Sequence, residues 1–133
     1  MTIARLDLEV KIEEMKRVKA FALSIASEAG LNKRQTQDLH LIAEEAMSNI
    51  VNYSGATTMS MSTWQENNRL YVAFIDNGAP FDPTQYPSPN LNVPASERKI
   101  GGLGIYYIRT LTDSMEYRRE DGKNILRISK LIR

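Results

Sequence analysis

Glu45 and Asn49 stand four residues apart in the stretch LIAEEAMSNIVNYSG, residues 41–55. On a helix that spacing makes them neighbours on one flank. At about 100° per residue the flank borders the apolar stripe of Leu39, Ile42, Ala43, Ala46 and Ile50 and does not oppose it. Asn52 follows the same flank, and Glu44 projects to the other side. A carboxylate and an amide beside a buried face are costly unless satisfied. They also have a chemical use there. An amide oxygen is a hard ligand suited to Mg²⁺, and a carboxylate can take a proton from a hydroxyl nucleophile. Taken alone, a solvated helix edge accounts for the pair better than a site does.

A second cluster lies in AFIDNGAPFDP, residues 73–83. Asp76 ends an apolar, β-branched run, with Gly78 two residues on. A strand-end carboxylate can accept hydrogen bonds from a ligand amine, and a glycine beside it admits a flat ring close to the backbone. An Asp-Asn-Gly hairpin turn is the other reading, and Ala79-Pro80-Phe81-Asp82-Pro83 weakens it by not resembling a returning strand. The two weigh about evenly. The third cluster, IGGLGIYYIRTL, places Gly101, Gly102 and Gly104 just ahead of an apolar helical pattern. It lacks the Lys-Ser/Thr ending of a P-loop and the third glycine of a dinucleotide fingerprint. What remains is a glycine-rich turn into a helix whose first N–H groups are unpaired, which suits phosphate oxygens. Arg98 and Lys99 stand just upstream to add charge. A hinge into a core helix is the plainer alternative.

The elements that must position these residues follow from periodicity and punctuation. Arg5–Val10 alternates as a strand, and Lys11–Ala29 turns helical through Met15, Val18, Phe21, Ala22 and Ile25, closed by Gly30. Asn32 caps a second helix running to about Tyr53. Thr57–Gln65 and Leu70–Ile75 read as strands joined through Glu66-Asn67-Asn68. All five prolines then fall between Pro80 and Pro94, too many for a regular ladder or helix, and loops of that length are usually lids or disordered. A short helix over Leu103–Leu111 follows, then strands near Ser114–Arg119 and Asn124–Leu131 joined through Asp121-Gly122. The order predicts an α+β fold: a two-layer sandwich with a mixed, mostly antiparallel sheet and about three helices on one face.

Bulk properties set the frame. With 133 residues, 42% of them hydrophobic and 25% charged, one domain with a real core is expected over residues 1–133. There is no cysteine, so disulfides and thiolate metal sites are excluded. A net charge of +1 gives no reason to expect nucleic acid or an anionic membrane as partner. No signal-peptide pattern or membrane-length apolar run is present, so the expectation is a soluble, cytoplasmic protein.

Each cluster is weak alone, but their order is informative: Glu-x-x-x-Asn on a helix, Asp-x-Gly after a strand, Gly-Gly-x-Gly before a helix, with a lid-length loop between the last two. That series resembles the ATP-binding fold shared by gyrase B, Hsp90, histidine kinases and MutL (the GHKL superfamily). It most resembles the small stand-alone branch, the anti-sigma-factor serine kinases of bacteria. The resemblance runs from the first strand to Leu131.

The family's helix motif, Glu-Ala-x-x-Asn, is matched by Glu45-Ala46-Met47-Ser48-Asn49. The resemblance implies that Asn49 ligates Mg²⁺ and that Glu45 is the general base for the attacking serine or water. Asp76 would take the adenine amine, and Gly78 would let the ring pack close. Lys99, Gly101, Gly102, Leu103 and Gly104 would surround the phosphates of ATP or ADP, with residues 79–100 as the lid. Two positions depart from the pattern. Tyr53 stands where members often carry His, and Asn124 stands near the place of a late-strand Thr that assists adenine binding. The lone histidine, His40, resembles no phospho-accepting segment.

The function so implied is a serine/threonine protein kinase that phosphorylates a serine of an anti-anti-sigma (STAS-type) antagonist and sequesters a sigma factor, as a homodimer. The first strand and helix would face the partner. The alternative is a non-catalytic, nucleotide-gated binding regulator.

Overall fold

The computed structural model describes residues 3–85 and 102–132. Among these residues five strands form one sheet: β1 (Ala4–Leu8), β2 (Met59–Glu66), β3 (Arg69–Asp76), β4 (Ser114–Glu120) and β5 (Lys123–Leu131). Its order is β1-β2-β3-β5-β4, and all four pairings are antiparallel, so the parallel component of the expected mixed sheet is absent among the described residues. Among the described residues three helices pack with it: α1 (Met15–Ala29), α2 (Lys33–Tyr53) and α3 (Gly102–Leu111). The sequence predicts a helix from Lys11. The chain instead enters α1 through a single 3-10 turn, Ile12–Glu14, which buried Glu14 braces by accepting from Glu9 N at 2.8 Å and from Arg17 at 2.9 Å.

Local signals set the element ends. Gly30 closes α1 with φ 72°, the left-handed cap. Asn32 then opens α2 with a reciprocal capping box: Asn32 Oδ1 accepts from Gln35 N at 2.8 Å, and Gln35 Oε1 accepts from Asn32 N at 2.9 Å. Asn32→Ala removes one half of that exchange and is expected to cost about 1 kcal/mol, read from the urea midpoint at unchanged m-value. Both tight hairpins carry positive φ at their two central residues, Asn67-Asn68 and Asp121-Gly122, as a type I′ turn demands.

The core lies between the helices and one face of the sheet. Leu39, Ile42 and Met47 of α2 are fully buried with Met61, Val72 and Ile128 of the strands. Each strand residue in that set is two or four places from the next inward one, so the register aligns the apolar stripes across the sheet. Lys130 is buried on this face because it has work for its charge there. Its Nζ donates to the last carbonyl of α3, Leu111 O, at 2.6 Å and lies 3.8 Å from Asp38 Oδ2. No helix among the described residues is long and apolar enough to cross a membrane.

The register that builds this core also delivers the site. Asp76 at the end of β3 lies directly opposite Asn124 of β5, which lies opposite Arg119 of β4. The inward face of the sheet therefore ends in a polar row beside the C-terminal half of α2.

Candidate functional site

A cavity of about 450 Å³ opens at that end of the molecule. Its floor is apolar, made by Phe74, Leu126, Ile108, Ala46 and Ile50. Polar groups converge on it from different elements: Asn49 and Tyr53 from α2, Ser54 from its C-cap, Asp76 from β3, and Tyr117 and Asn124 from β4 and β5. An apolar slot with a handful of placed polar groups is the usual form of a small-molecule site. Pro80, Phe81 and Pro83 complete one wall.

Asp76 is only 6% exposed. Its Oδ1 accepts from Gly78 N at 2.8 Å and from Asn124 Nδ2 at 3.1 Å. A glycine follows at 78 because of packing against α2. A Cβ there would lie 2.6 Å from Ser54 O and 2.7 Å from Ser54 Cβ. The close approach is thus to the C-cap of α2, and Ala79 N donates to the same Ser54 carbonyl at 3.2 Å. Asn77 fixes the other side of the turn, its Oδ1 accepting from Thr57 N at 2.8 Å and Thr58 N at 3.0 Å. The Asp-Asn-Gly segment is therefore no hairpin turn but a junction that ties the end of β3 to the end of α2 and the start of β2.

Glu45 stands outside the cavity wall, with its carboxylate against the first turn of α3. A Cβ on Gly104 would meet Glu45 Oε2 at 2.6 Å and Asn49 Nδ2 at 3.5 Å. Gly104 is thus the gap into which the Glu45 carboxylate fits. Burial pushes the Glu45 carboxyl above the ordinary glutamate range, and the neighbouring Glu44 charge adds to the rise. Glu44 itself faces away and pairs with His40 at 3.2 Å, which gives the lone histidine a structural partner. The side chain of Asn49 makes no hydrogen bond among the described residues, so its amide oxygen is free to serve as a ligand.

The structure brings Glu45, Asn49, Asp76, Gly78, Gly104 and Asn124 to this one end of the fold. Gly102 opens α3 and Leu103 follows it in the first turn. Lys99, Gly101, Arg98 and the part of the expected lid from 86 to 100 lie outside the described residues. The other part, 79–85, is a wall: it ends in a 3-10 turn, Pro83–Gln85, tied to α3 by Arg109 donating to Pro83 O at 3.1 Å. Asn124 lines the cavity, and its side-chain amide bonds to Asp76, Ala79 O, Tyr117 and Phe81 N.

Tyr117 and Arg119 were not singled out by sequence reasoning. Tyr117 donates to Asn124 Oδ1 at 2.5 Å and Arg119 donates to Gly78 O at 2.8 Å. Strand alternation places both on the face of Asn124, which is the signal that finds them once Asp76 is suspected.

Comparison with known proteins bears on the same arrangement. The chain matches the family described as Histidine kinase-like ATPase domain over residues 8–130. It is similar to the serine/threonine-protein kinase BtrW of Bordetella bronchiseptica, 33% identical over 95 residues that cover 68% of this chain and 67% of the relative. It is 28% identical over 131 residues to the serine-protein kinase RsbW of Listeria monocytogenes, covering 91% of this chain and 82% of that one. Among solved structures, the RsbU and RsbW domains of Rv1364c from Mycobacterium tuberculosis align with a TM-score of 0.71 at 13% identity, over 99% of this chain and 33% of that one. This chain thus spans about a third of that solved chain. The catalytic domain of the histidine kinase ThkA aligns with a TM-score of 0.58 at 10% identity, over 99% of this chain and 97% of that one. Those two likenesses speak to the fold. Family match and curated relatives together place the chain: it belongs to the histidine kinase-like ATPase family, on the side of that family occupied by its serine/threonine protein kinases.

Proposed function

We propose that this chain is an ATP-dependent protein serine/threonine kinase that phosphorylates a serine of an anti-anti-sigma (STAS-type) antagonist and sequesters a sigma factor. The observation that carries the reading is the pairing of two sites on one short helix–strand frame. Asp76 offers a carboxylate at the end of an apolar slot sized for a base, and the Glu45–Asn49 flank of α2 stands beside the first turn of α3. The curated relatives' names, serine/threonine-protein kinase BtrW and serine-protein kinase RsbW, support the reaction class.

On this reading the residues divide the labour as follows. Asp76 accepts the exocyclic amine of adenine, and the apolar floor stacks against the ring. Asn49 provides one protein oxygen for Mg²⁺, which fits an ion that takes most of its ligands from phosphate and water. Among the described residues no cluster of three acidic or histidine side chains offers a competing cation cage. When bound, the ion neutralises phosphate charge as it builds during transfer. Glu45 accepts the proton of the substrate serine as its oxygen bonds the γ-phosphorus and the bond to the β-phosphate oxygen breaks, releasing ADP. A carboxyl held above its ordinary range by burial is a better proton acceptor near neutral pH than an exposed one.

Calorimetry with ATP and ADP, with and without Mg²⁺, tests the nucleotide half. Tight binding of ATP that depends on Mg²⁺ is expected. Transfer of the γ-phosphoryl group to a purified antagonist, followed by intact-mass measurement, tests the kinase half. Failure of well-folded protein to bind any adenine nucleotide would remove the first half, and the second with it.

A further inference from the structure

Asn124 spends the full hydrogen-bonding capacity of its side chain inside the protein. Its Nδ2 donates to Asp76 Oδ1 at 3.1 Å and to Ala79 O at 2.9 Å. Its Oδ1 accepts from the Tyr117 hydroxyl at 2.5 Å and from Phe81 N at 3.3 Å. A backbone carbonyl only accepts and a backbone N–H only donates, so Ala79 and Phe81 dictate which way the amide points. Its donor end must face Asp76. Asp76 Oδ1 then receives two hydrogen bonds, from Asn124 and from Gly78 N at 2.8 Å. Oδ2 receives none among the described residues. No fully buried side-chain polar atom there lacks a partner, so Oδ2 is reached from the cavity that Asp76 lines.

We propose, on the reading of this cavity as an adenine-nucleotide site, that Asn124 and Tyr117 are a positioning pair that presents one acceptor-only oxygen of Asp76 to the base. The pair thereby makes the pocket select a base by its exocyclic amine. A carboxylate held at one oxygen by two donors cannot turn its other oxygen away from the ligand. Tyr117 supplies the shorter of the two bonds that hold the Asn124 carbonyl. Its hydroxyl therefore acts on the base at second hand, through Asn124 and then Asp76. Arg119 braces the same loop at Gly78 O, at 2.8 Å, without touching either carboxylate oxygen.

The test compares ATP with ITP, which carries a carbonyl oxygen in place of the adenine amine, by calorimetry in Mg²⁺. Wild-type protein is expected to prefer ATP. Tyr117→Phe is expected to lower ATP affinity about three- to tenfold and leave ITP affinity unchanged, narrowing the ratio by that factor. Arg119→Met, a purely structural loosening of the loop, is expected to weaken both nucleotides by one factor and keep the ratio. Equal loss of ATP and ITP in Tyr117→Phe overturns the proposal, and so does a wild type that does not discriminate between them. No binding of either nucleotide by folded wild type overturns the adenine-site reading itself, a distinguishable result. A check that needs no variant is the exchange of the Asn124 side-chain amide protons in labelled protein. Slow exchange both without and with ATP is expected, and protection that arises only on adding ATP would make Asn124 a direct ligand and end the positioning role.

Discussion

Asp76→Ala is expected to reduce ATP affinity by about ten- to a hundredfold, with Mg²⁺ present, in the same calorimetric titration used for the wild type. A hydrogen bond to a charged group contributes roughly 1.5–3 kcal/mol, and each 1.4 kcal/mol is a factor of ten. The loss has a second component inside the protein. Gly78 N and Asn124 Nδ2 both donate to Asp76 Oδ1, and both lose that acceptor when it goes. An orphaned buried donor costs about 1–3 kcal/mol, so the variant is also expected to melt earlier. Asp76→Asn separates the two effects. Its amide oxygen can still accept from Gly78 and Asn124, which preserves the fold. Its amide nitrogen then takes the place of the open oxygen and opposes the adenine amine donor to donor. Weak ATP binding at near-normal stability is the expected outcome, with a relative gain for ITP. Undiminished ATP binding by Asp76→Asn would move the base away from this end of the cavity.

Most of the frame around Asp76 was legible in the sequence because it is written in local signals. The Gly30 cap, the Asn32 capping box and the two tight hairpins each depend on residues within a few positions of one another. The strands that carry Asp76 and Asn124 show a period of two, and α2 shows an apolar stripe with Glu45 and Asn49 on its flank. What local reading could not supply is what a residue meets across the fold. Gly78 is tight against Ser54, 24 positions earlier, and Gly104 is tight against Glu45 on another helix. The sequence pattern alone points both glycines at a ligand; the structure adds that each also gives clearance to a protein group. The same reason hid Tyr117 and Arg119: a Tyr and an Arg on an edge strand look like solvated surface until the register places them beside Asn124 and Gly78. The sequence pattern starts α1 four residues early, at Lys11, because Lys11–Glu14 blends into the helical pattern that follows; the backbone there makes one tighter turn around Glu14.

Glu45→Gln is expected to lower phosphoryl transfer by about 10²- to 10⁴-fold while leaving Mg²⁺-dependent ATP binding close to wild type. Glutamine matches the shape of glutamate, so it fills the gap opposite Gly104 without new strain. It keeps the flank of α2 intact beside Asn49 and removes only the group that can accept the serine proton. The pH dependence sharpens the test. Burial, and then the Glu44 charge, raise the Glu45 pKa above the ordinary 4.5. The active form is the carboxylate, so wild-type transfer should fall on the acid side at a pH higher than an exposed glutamate would give. Stability carries the opposite sign. A carboxyl whose pKa is raised by folding favours the folded state while protonated, and that contribution is lost as pH climbs from 4.5 through the raised value. At neutral pH Glu45→Gln is therefore expected to be at least as stable as wild type, and the two should converge below the ordinary carboxylate range. Lower activity with equal or higher stability marks a group kept for chemistry rather than for folding. If Glu45→Gln loses transfer yet still regulates its partner, the kinase activity and the binding role are separate. If transfer persists near the wild-type rate, another group takes the proton, and Glu45 is only the residue that fits beneath Gly104.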